Sequence, residues 1–97
     1  MLSIVIPVYN EEENLNSVIE ELLENIDTQS PYEIIFVDDS SDDNTFLNIK
    51  AINLQNNNIK ILRLARRSGS HIATKAGIDA SSGDKLLVIS GDGQEDP

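Results

Sequence analysis

The chain has 97 residues, a formal net charge of −10 and a hydrophobic content of 39%. This length allows one domain at most, and the acidic balance excludes a general nucleic-acid-binding protein, which would carry a basic face. No cysteine and a single histidine exclude disulfides, thiolate metal sites and multi-histidine metal sites. No run approaches the roughly 20 apolar residues of a membrane-spanning helix, and there is no basic leader, so we expect a cytoplasmic protein.

The first predicted strand is Leu2–Val8, and a helix follows it. Asn10 is expected to cap this helix, with Glu13 in capping-box spacing and residues 11–13 in its first turn. The expected buried face of the helix consists of Leu15, Val18, Ile19, Leu22, Leu23 and Ile26.

The remaining predicted elements alternate in the same way. Strands are expected at residues 33–37, 59–64 and 85–89, and helices at about 43–54 and 70–80. Small residues on the last helix favour close packing on a sheet, with an expected buried face of Ile72, Ala73, Ala76, Gly77 and Ala80. Alternating strands and helices imply right-handed crossovers and a parallel sheet, and almost continuously apolar strands imply helices on both faces. The predicted fold is a doubly wound α/β sheet of about four strands and three helices.

Polar clusters follow three of the predicted strands, at residues 7–11, 38–42 and 90–94. Ligands of open α/β sheets bind at the carboxyl ends of the strands, so we expect these clusters to converge on one site. Because two of the clusters are acidic, the sequence predicts a polar ligand held with a metal ion.

The acidic pair Asp38-Asp39 stands at the end of the second predicted strand. Adjacent residues leaving a strand point to opposite sides, so one carboxylate can face the site while the other orders the turn. A carboxylate at this edge can accept hydrogen bonds from ribose hydroxyls or a base N–H. The alternative for Asp39 is capping of the next helix, but Asp42 is better placed for that role.

Five of the seven basic residues lie between positions 60 and 75, a window without Asp or Glu. Within it, Arg66, Arg67, Ser68 and Gly69 follow the third predicted strand. A guanidinium there can pair with a diphosphate, and the start of the next helix can add backbone amides at Ser70. The alternative is that both arginines are exposed loop residues, and this alternative applies most strongly to Arg67.

Neither the dinucleotide fingerprint nor the ATPase phosphate loop occurs in the sequence.

Asp92 and Gln94 are two residues apart and carry the oxygen ligands that Mg²⁺ and Mn²⁺ prefer. Gly91 and Gly93 would let a ligand approach the backbone closely. The alternative interpretation is a simple Gly/Asp turn.

As an ordered set, the motifs resemble the family 2 inverting glycosyltransferases of the GT-A fold. The resemblance is carried by residues 4–12, by residues 37–45, and by the spaced pattern of Arg66, Gly69, Ala73, Ala76, Gly77, Ala80, Gly83 and Asp84. Residues 92–97 resemble the metal motif and Gln-Asp-Pro continuation of the dolichol-phosphate mannose synthases and bacterial polyprenyl-phosphate glycosyltransferases.

The resemblance implies transfer of a sugar from a UDP- or GDP-sugar, with inversion, to a polyprenyl phosphate or another glycan or lipid acceptor. Asp92 and Gln94 would bind the divalent metal, Mg²⁺ or Mn²⁺, that bridges the donor diphosphate. The positions that would contact the nucleotide are Pro7, Tyr9, Glu11, Asp38, Asp39, Arg66 and Gly69.

Two features depart from the family pattern. Ser90 replaces the first Asp of the Asp-x-Asp metal motif, which should weaken metal binding or shift it to other oxygen ligands. Family members also continue further, so residues 1–97 are expected to be the N-terminal, nucleotide-sugar-binding part of a larger domain. The general base would lie downstream of Pro97, as would any segment that holds the protein at the inner face of the membrane. An unpaired sheet edge would then favour self-association.

Two other functions stay open at this point. One is a truncated or degenerate module that binds nucleotide without turnover. The other is a phospho-accepting receiver-like domain, which the sequence disfavours because the first strand ends in Pro-Val-Tyr-Asn rather than in an acidic pair.

Overall fold

In a computed structural model, which describes residues 1–89, strands and helices alternate as predicted. The elements are β1 (Leu2–Val8), α1 (Leu15–Asn25), β2 (Tyr32–Asp38), α2 (Thr45–Gln55), β3 (Ile59–Arg63), α3 (Ser70–Ala80) and β4 (Lys85–Val88). The predicted α/β fold is confirmed, and the predicted strand ends agree with the structure to within one residue.

The four strands form one parallel sheet in the order β3-β2-β1-β4. The chain moves outward from β1 to β3 and then returns to the other side of β1, so α3 lies on the face opposite α1 and α2. A receiver-like domain would place β1 between β2 and β3. The observed order, with β1 between β2 and β4, excludes that alternative.

The main core lies between the sheet and helices α1 and α2. Because side chains alternate along each strand, one face of β1 and β2 is apolar and packs against the apolar face of α1. The predicted face of α1 is confirmed, since all six of its residues belong to this core. The residues buried there are Ile4, Ile6, Val8, Leu15, Ile19, Leu22, Ile34, Phe36, Ile49 and Ile59.

On the other face, α3 packs closely against the sheet. A Cβ atom added at Gly77 would lie 2.4 Å from Val5 Cγ1, so glycine is required for this approach. Ala73 is fully buried beside it. Only a narrow stripe of the helix meets the sheet at this distance, and the expected burial of Ile72 and Ala80 is therefore wrong, since both are exposed.

The start of α1 differs from the prediction. The helix begins at Leu15, and Asn10 stands four residues before the N-cap, Asn14, with a left-handed φ of 51°. The Asn10 side chain accepts the N–H of Asp42 at 2.8 Å instead of capping its own helix. Residues 11–14 therefore form a separate turn before α1, in which the N–H of Asn14 donates to the carbonyl of Glu11 at 2.9 Å.

β4 pairs with β1 and carries exposed apolar side chains at Leu86, Leu87 and Val88. An apolar strand at the edge of a sheet is a template for pairing with another chain, so self-association stays a prediction.

Within residues 1–89, every helix is too short or too polar to cross a membrane.

Glu33 joins four segments at the amino ends of the strands. Its buried carboxylate accepts hydrogen bonds from Ser3 Oγ and the N–H of Ser82, both at 2.6 Å, and lies 2.6 Å from Lys60 Nζ. Burial raises the pKa of this carboxyl, but these hydrogen bonds and the Lys60 charge outweigh it and lower the pKa to about 2. Glu33 thus stabilises the sheet away from its carboxyl edge.

We expect Glu33 to make the free energy of unfolding decrease at acidic pH. Its folded-state pKa lies below the ordinary value of 4.5, so its contribution is present above pH 4.5 and is lost as the pH falls towards 2. Glu33→Gln should lower the free energy of unfolding at neutral pH by about 2–3 kcal/mol, and by much less near pH 2.

The measurement is urea unfolding of parent and variant across this pH range. Glu20→Gln, at an exposed position of α1, is the matched control and should leave the profile unchanged. An equal pH dependence in the parent and in Glu33→Gln would contradict the assignment.

Candidate functional site

A cavity of about 270 Å³ lies at the carboxyl edge of the sheet, where β1 and β2 end. Three segments form it: the end of β1, the first residue after β2, and the loop that leads into α3. Parallel pairing brings them together, because Val8 lies opposite Asp38 in the sheet. The lining residues are Pro7, Val8, Tyr9, Glu11, Asp39, Arg67 and Ser70.

Asp39 connects two of these segments. Its carboxylate accepts hydrogen bonds from the N–H groups of Ser68 (2.7 Å) and Gly69 (2.8 Å), and from Arg67 Nε at 3.2 Å. Its own N–H donates to the carbonyl of Val8 at 2.9 Å. A carboxylate offers about four acceptor sites, so Asp39 can hold this loop and still accept one more hydrogen bond from a ligand.

The loop before α3 supplies the cation of the cavity. Arg67 lines it, whereas Arg66 is exposed and does not. The structure therefore replaces Arg66 with Arg67 as the cavity arginine, because Asp39 binds the guanidinium of Arg67. Gly69 is not among the lining residues. It has a φ of 97°, a left-handed conformation that glycine adopts without strain, and its N–H donates to Asp39.

Tyr9 supplies the aromatic surface of the cavity. The guanidinium carbon of Arg67 lies 3.6 Å from the centroid of the Tyr9 ring, a cation–π contact. Glu11 and Asp39 contribute carboxylates to the same cavity. The cavity thus combines a flat ring, one cation and two anions, a set suited to a ligand with both an aromatic group and an anionic group.

Asp38 points to the other side of β2, as expected for a residue adjacent to Asp39. It is fully buried, accepts hydrogen bonds from the N–H and hydroxyl of Ser41, and lies 3.4 Å from Arg63 Nε. The structure therefore places Asp38 outside the cavity lining, where it orders the turn after β2.

The loop after β1 is hydrogen-bonded to the loop after β2 and to the first residue of α2, a feature that the sequence did not reveal. The N–H of Asn10 donates to Ser41 Oγ at 2.9 Å, and the N–H of Glu11 donates to Thr45 Oγ1 at 2.8 Å. Both hydroxyl residues are buried. The only sequence signal is the placement of Ser41 and Thr45 just after the acidic pair.

Asp43, rather than Asp42, supports the start of α2. It accepts hydrogen bonds from the N–H of Thr45, at 2.9 Å, and from the Thr45 hydroxyl. Burial raises the pKa of Asp43, but the Thr45 hydrogen bonds outweigh it and lower the pKa below its ordinary value. Asp42 is exposed and accepts a hydrogen bond from the Tyr9 hydroxyl at 3.3 Å, so the expected capping role of Asp42 is wrong.

Both proposed metal ligands, Asp92 and Gln94, lie outside the described residues, as does Ser90. Residues 1–89 contain no group of three or more acidic or histidine side chains that could hold a metal ion. Because β4 runs parallel to β1, its carboxyl end lies at the edge of the sheet that bears the cavity.

Comparison with known sequences identifies related proteins. The sequence model described as Glycosyl transferase family 2 matches residues 3–97. The chain is 43% identical over 97 residues to an uncharacterized glycosyltransferase, sll0501, of Synechocystis. It is 37% identical over 98 residues to an undecaprenyl-phosphate 4-deoxy-4-formamido-L-arabinose transferase of Proteus mirabilis. Each match covers 99% of this chain and 30% of the relative, so the chain spans about a third of their length.

Solved structures share the fold. A complex of residues 1–349 of S. aureus TarS with UDP superposes with a TM-score of 0.82 at 23% identity. The mannosyltransferase PcManGT of Pyrobaculum calidifontis, in complex with GDP-Man and Mn²⁺, gives a TM-score of 0.83 at 17% identity. Each match covers 94% of this chain and 27% of the other chain, and at these identities it establishes the fold.

We expect Asp39→Asn to loosen the loop before α3. An asparagine amide can accept from one of the two backbone N–H groups but presents its own NH₂ to the other, and it removes the charge that holds Arg67. Amide exchange at Ser68 or Gly69 should accelerate at least about 10-fold, and the free energy of unfolding should fall by about 1–3 kcal/mol.

The control is Asp42→Asn, which changes an exposed carboxylate of the neighbouring loop. It should leave exchange at Ser68 and Gly69 unchanged. Unaltered exchange at both amides in Asp39→Asn would show that the carboxylate does not hold this loop.

Proposed function

Because this chain belongs to glycosyl transferase family 2, we propose that it is the nucleotide-sugar-binding part of an inverting glycosyltransferase. The proposed donor is a UDP- or GDP-sugar, and the proposed acceptor is a polyprenyl phosphate. Relatives named undecaprenyl-phosphate transferases support this acceptor, and fold neighbours in complex with UDP or GDP-Man support this donor class.

The observation that carries the proposal is the composition of the cavity at the carboxyl edge of β1 and β2. Tyr9 offers a ring on which a base can stack, and Asp39 keeps one acceptor site for a base N–H or a ribose hydroxyl. Glu11 can accept a second sugar hydroxyl. One cavity can therefore hold a nucleoside through both its aromatic and its polar parts.

Arg67 adds a site for the diphosphate. Its guanidinium can form two parallel hydrogen bonds to phosphate oxygens, and more than half of its side chain is exposed. Ser70 lines the same cavity at the first residue of α3, where free N–H groups also favour an anion. These groups support a phosphate position on the α3 side of the cavity.

A divalent metal, Mg²⁺ or Mn²⁺, completes the proposed site. Asp92 and Gln94 are its proposed ligands, since a carboxylate and an amide oxygen are hard donors suited to either ion. When bound, the metal neutralises charge on the departing nucleoside diphosphate. Ser90, in place of a second carboxylate, should make this site weaker than one with two acidic residues.

The proposed transfer is a single displacement. An acceptor oxygen bonds to the anomeric carbon on the face opposite the diphosphate, the bond to the diphosphate breaks, and a general base takes any proton of the acceptor. We assign no residue of the cavity as this base and expect it downstream of Pro97. A lipid-linked acceptor would place the reaction at the inner face of the membrane.

Ser90 favours a second candidate function, in which the domain binds nucleotide without turnover. The loss of one metal carboxylate lowers the charge available to stabilise the leaving group. Both candidate functions include nucleotide binding, and a measurement of sugar transfer by the full-length protein distinguishes them.

We expect UDP or GDP to bind this chain and Tyr9→Leu to weaken that binding by about 1–3 kcal/mol, the contribution of stacking one base on an aromatic side chain. Tyr9→Phe keeps the ring and should bind almost as the parent does. Calorimetric titration of each variant with UDP and with GDP measures the effect.

Tyr32→Phe is the second control, because Tyr32 lies at the opposite end of the sheet, at the start of β2. Equal affinities of Tyr9→Leu and the parent would contradict a base-stacking role. Failure of both nucleotides to bind the parent would contradict the proposed function itself.

For the metal, we expect Asp92→Asn to abolish the Mn²⁺ dependence of nucleotide binding and Ser90→Asp to strengthen it, because a second hard anionic oxygen is added. Binding of UDP or GDP is titrated with and without Mn²⁺. An unchanged or weaker metal dependence in Ser90→Asp would show that Ser90 is not at the missing ligand position.

A further inference from the structure

Two successive backbone N–H groups of the loop after β1 donate to hydroxyls that follow β2, one in the loop after β2 and one at the first residue of α2. Asn10 donates to Ser41 Oγ at 2.9 Å, and Glu11 donates to Thr45 Oγ1 at 2.8 Å. The donor and acceptor of each pair are more than thirty residues apart in the chain. These contacts therefore fix one loop relative to another, not the shape of a single turn.

A carboxylate orients each of these hydroxyls. Ser41 donates its hydroxyl hydrogen to Asp38, and Thr45 donates its hydroxyl hydrogen to Asp43. A hydroxyl has one hydrogen and two lone pairs, whereas a carboxylate can only accept. With the hydrogen directed at the carboxylate, a lone pair of each hydroxyl is left for the backbone N–H. The two carboxylate–hydroxyl–amide chains are built in the same way.

The two hydroxyls at the centre of these chains are buried, whereas Asn10 is exposed and Glu11 and Asp43 are half-buried. Asp38 and Thr45 are fully buried, and Ser41 is 4% exposed. Water competes poorly at a buried hydroxyl, so removal of one hydroxyl takes away the protein partner that holds this backbone N–H in place. The position of residues 10 and 11 should depend strongly on these two side chains.

These two residues determine where the cavity groups lie. Tyr9 and Glu11 flank Asn10 and line the cavity, and Asn10 has a left-handed φ of 51° that costs energy for a non-glycine residue. Its conformation is held from outside, because its N–H bonds to Ser41 and its side chain accepts the N–H of Asp42. Without these contacts, the ring of Tyr9 and the carboxylate of Glu11 would lose their common placement.

We propose that Ser41 and Thr45 are positioning residues for nucleotide binding, acting through the backbone of Asn10 and Glu11 on the placement of Tyr9 and Glu11. This inference rests on the proposed function of the cavity. Neither hydroxyl lines the cavity itself, and each acts through the loop that it holds.

The first test compares Thr45→Val, which keeps the shape of the side chain but removes its hydroxyl, with Thr45→Ser, which keeps the hydroxyl. Thr45→Val should weaken UDP or GDP binding about 5- to 30-fold, and Thr45→Ser should bind within about 2-fold of the parent. Ile49→Val removes a buried methyl from the same helix and controls for lost stability. Equal binding by Thr45→Val and the parent, or equal losses in Thr45→Val and Thr45→Ser, would overturn the proposal.

The second test needs no ligand and separates this inference from the proposed function. Amide exchange at Glu11 should accelerate at least about 10-fold in Thr45→Val, but not in Thr45→Ser or Ile49→Val. The nuclear Overhauser contacts between the Tyr9 ring and the Arg67 side chain should weaken in Thr45→Val alone. Unchanged exchange and contacts in that variant would overturn the positioning role even if nucleotide binds. Faster exchange at Glu11 and weaker Tyr9–Arg67 contacts in Thr45→Val, with no nucleotide bound by the unmodified chain, would uphold the positioning of the loop and contradict the proposed function.

Discussion

The carboxyl edge of this sheet depends on two adjacent carboxylates at the end of β2. Asp38 and Asp39 are almost completely buried, a costly location unless each oxygen finds hydrogen-bond donors. Strand alternation sends the two side chains to opposite sides of β2. Asp38 accepts a hydrogen bond from Ser41 and pairs with the guanidinium of Arg63. Asp39 accepts hydrogen bonds from two backbone N–H groups of the loop before α3. The requirement to satisfy these carboxylates therefore organises two loops.

The cavity is the consequence of this arrangement. One of its walls comes from the loop after β1, which the hydroxyls of Ser41 and Thr45 hold, and the other comes from the loop that Asp39 holds. Regular structure supplies only the parallel strand ends that bring these loops side by side. The identity of a few loop residues, more than the sheet itself, therefore determines the chemistry of this cavity.

Local sequence patterns predicted the elements well, because each depends on its own residues. The apolar runs gave β1 and β2, and the small residues of α3 indicated the close packing at Gly77. Asp39 was also predicted at the cavity, since its place after a strand determines its location. Contacts between distant loops left no local pattern. Asn10 therefore looked like a helix cap, and the family resemblance favoured Arg66 although Arg67 is the arginine that contacts Asp39.

The most direct test of the account is a two-dimensional ¹H–¹⁵N NMR titration of this chain with UDP and with GDP, each in the presence of the diamagnetic ion Mg²⁺. We expect saturable shifts at the amides of the cavity residues Tyr9, Glu11, Asp39, Arg67 and Ser70, with the amides around Glu33 at the opposite edge unchanged. Shifts spread over the whole sheet, shifts confined to another surface, or no shifts with either nucleotide would contradict the claim that this cavity binds the donor nucleotide.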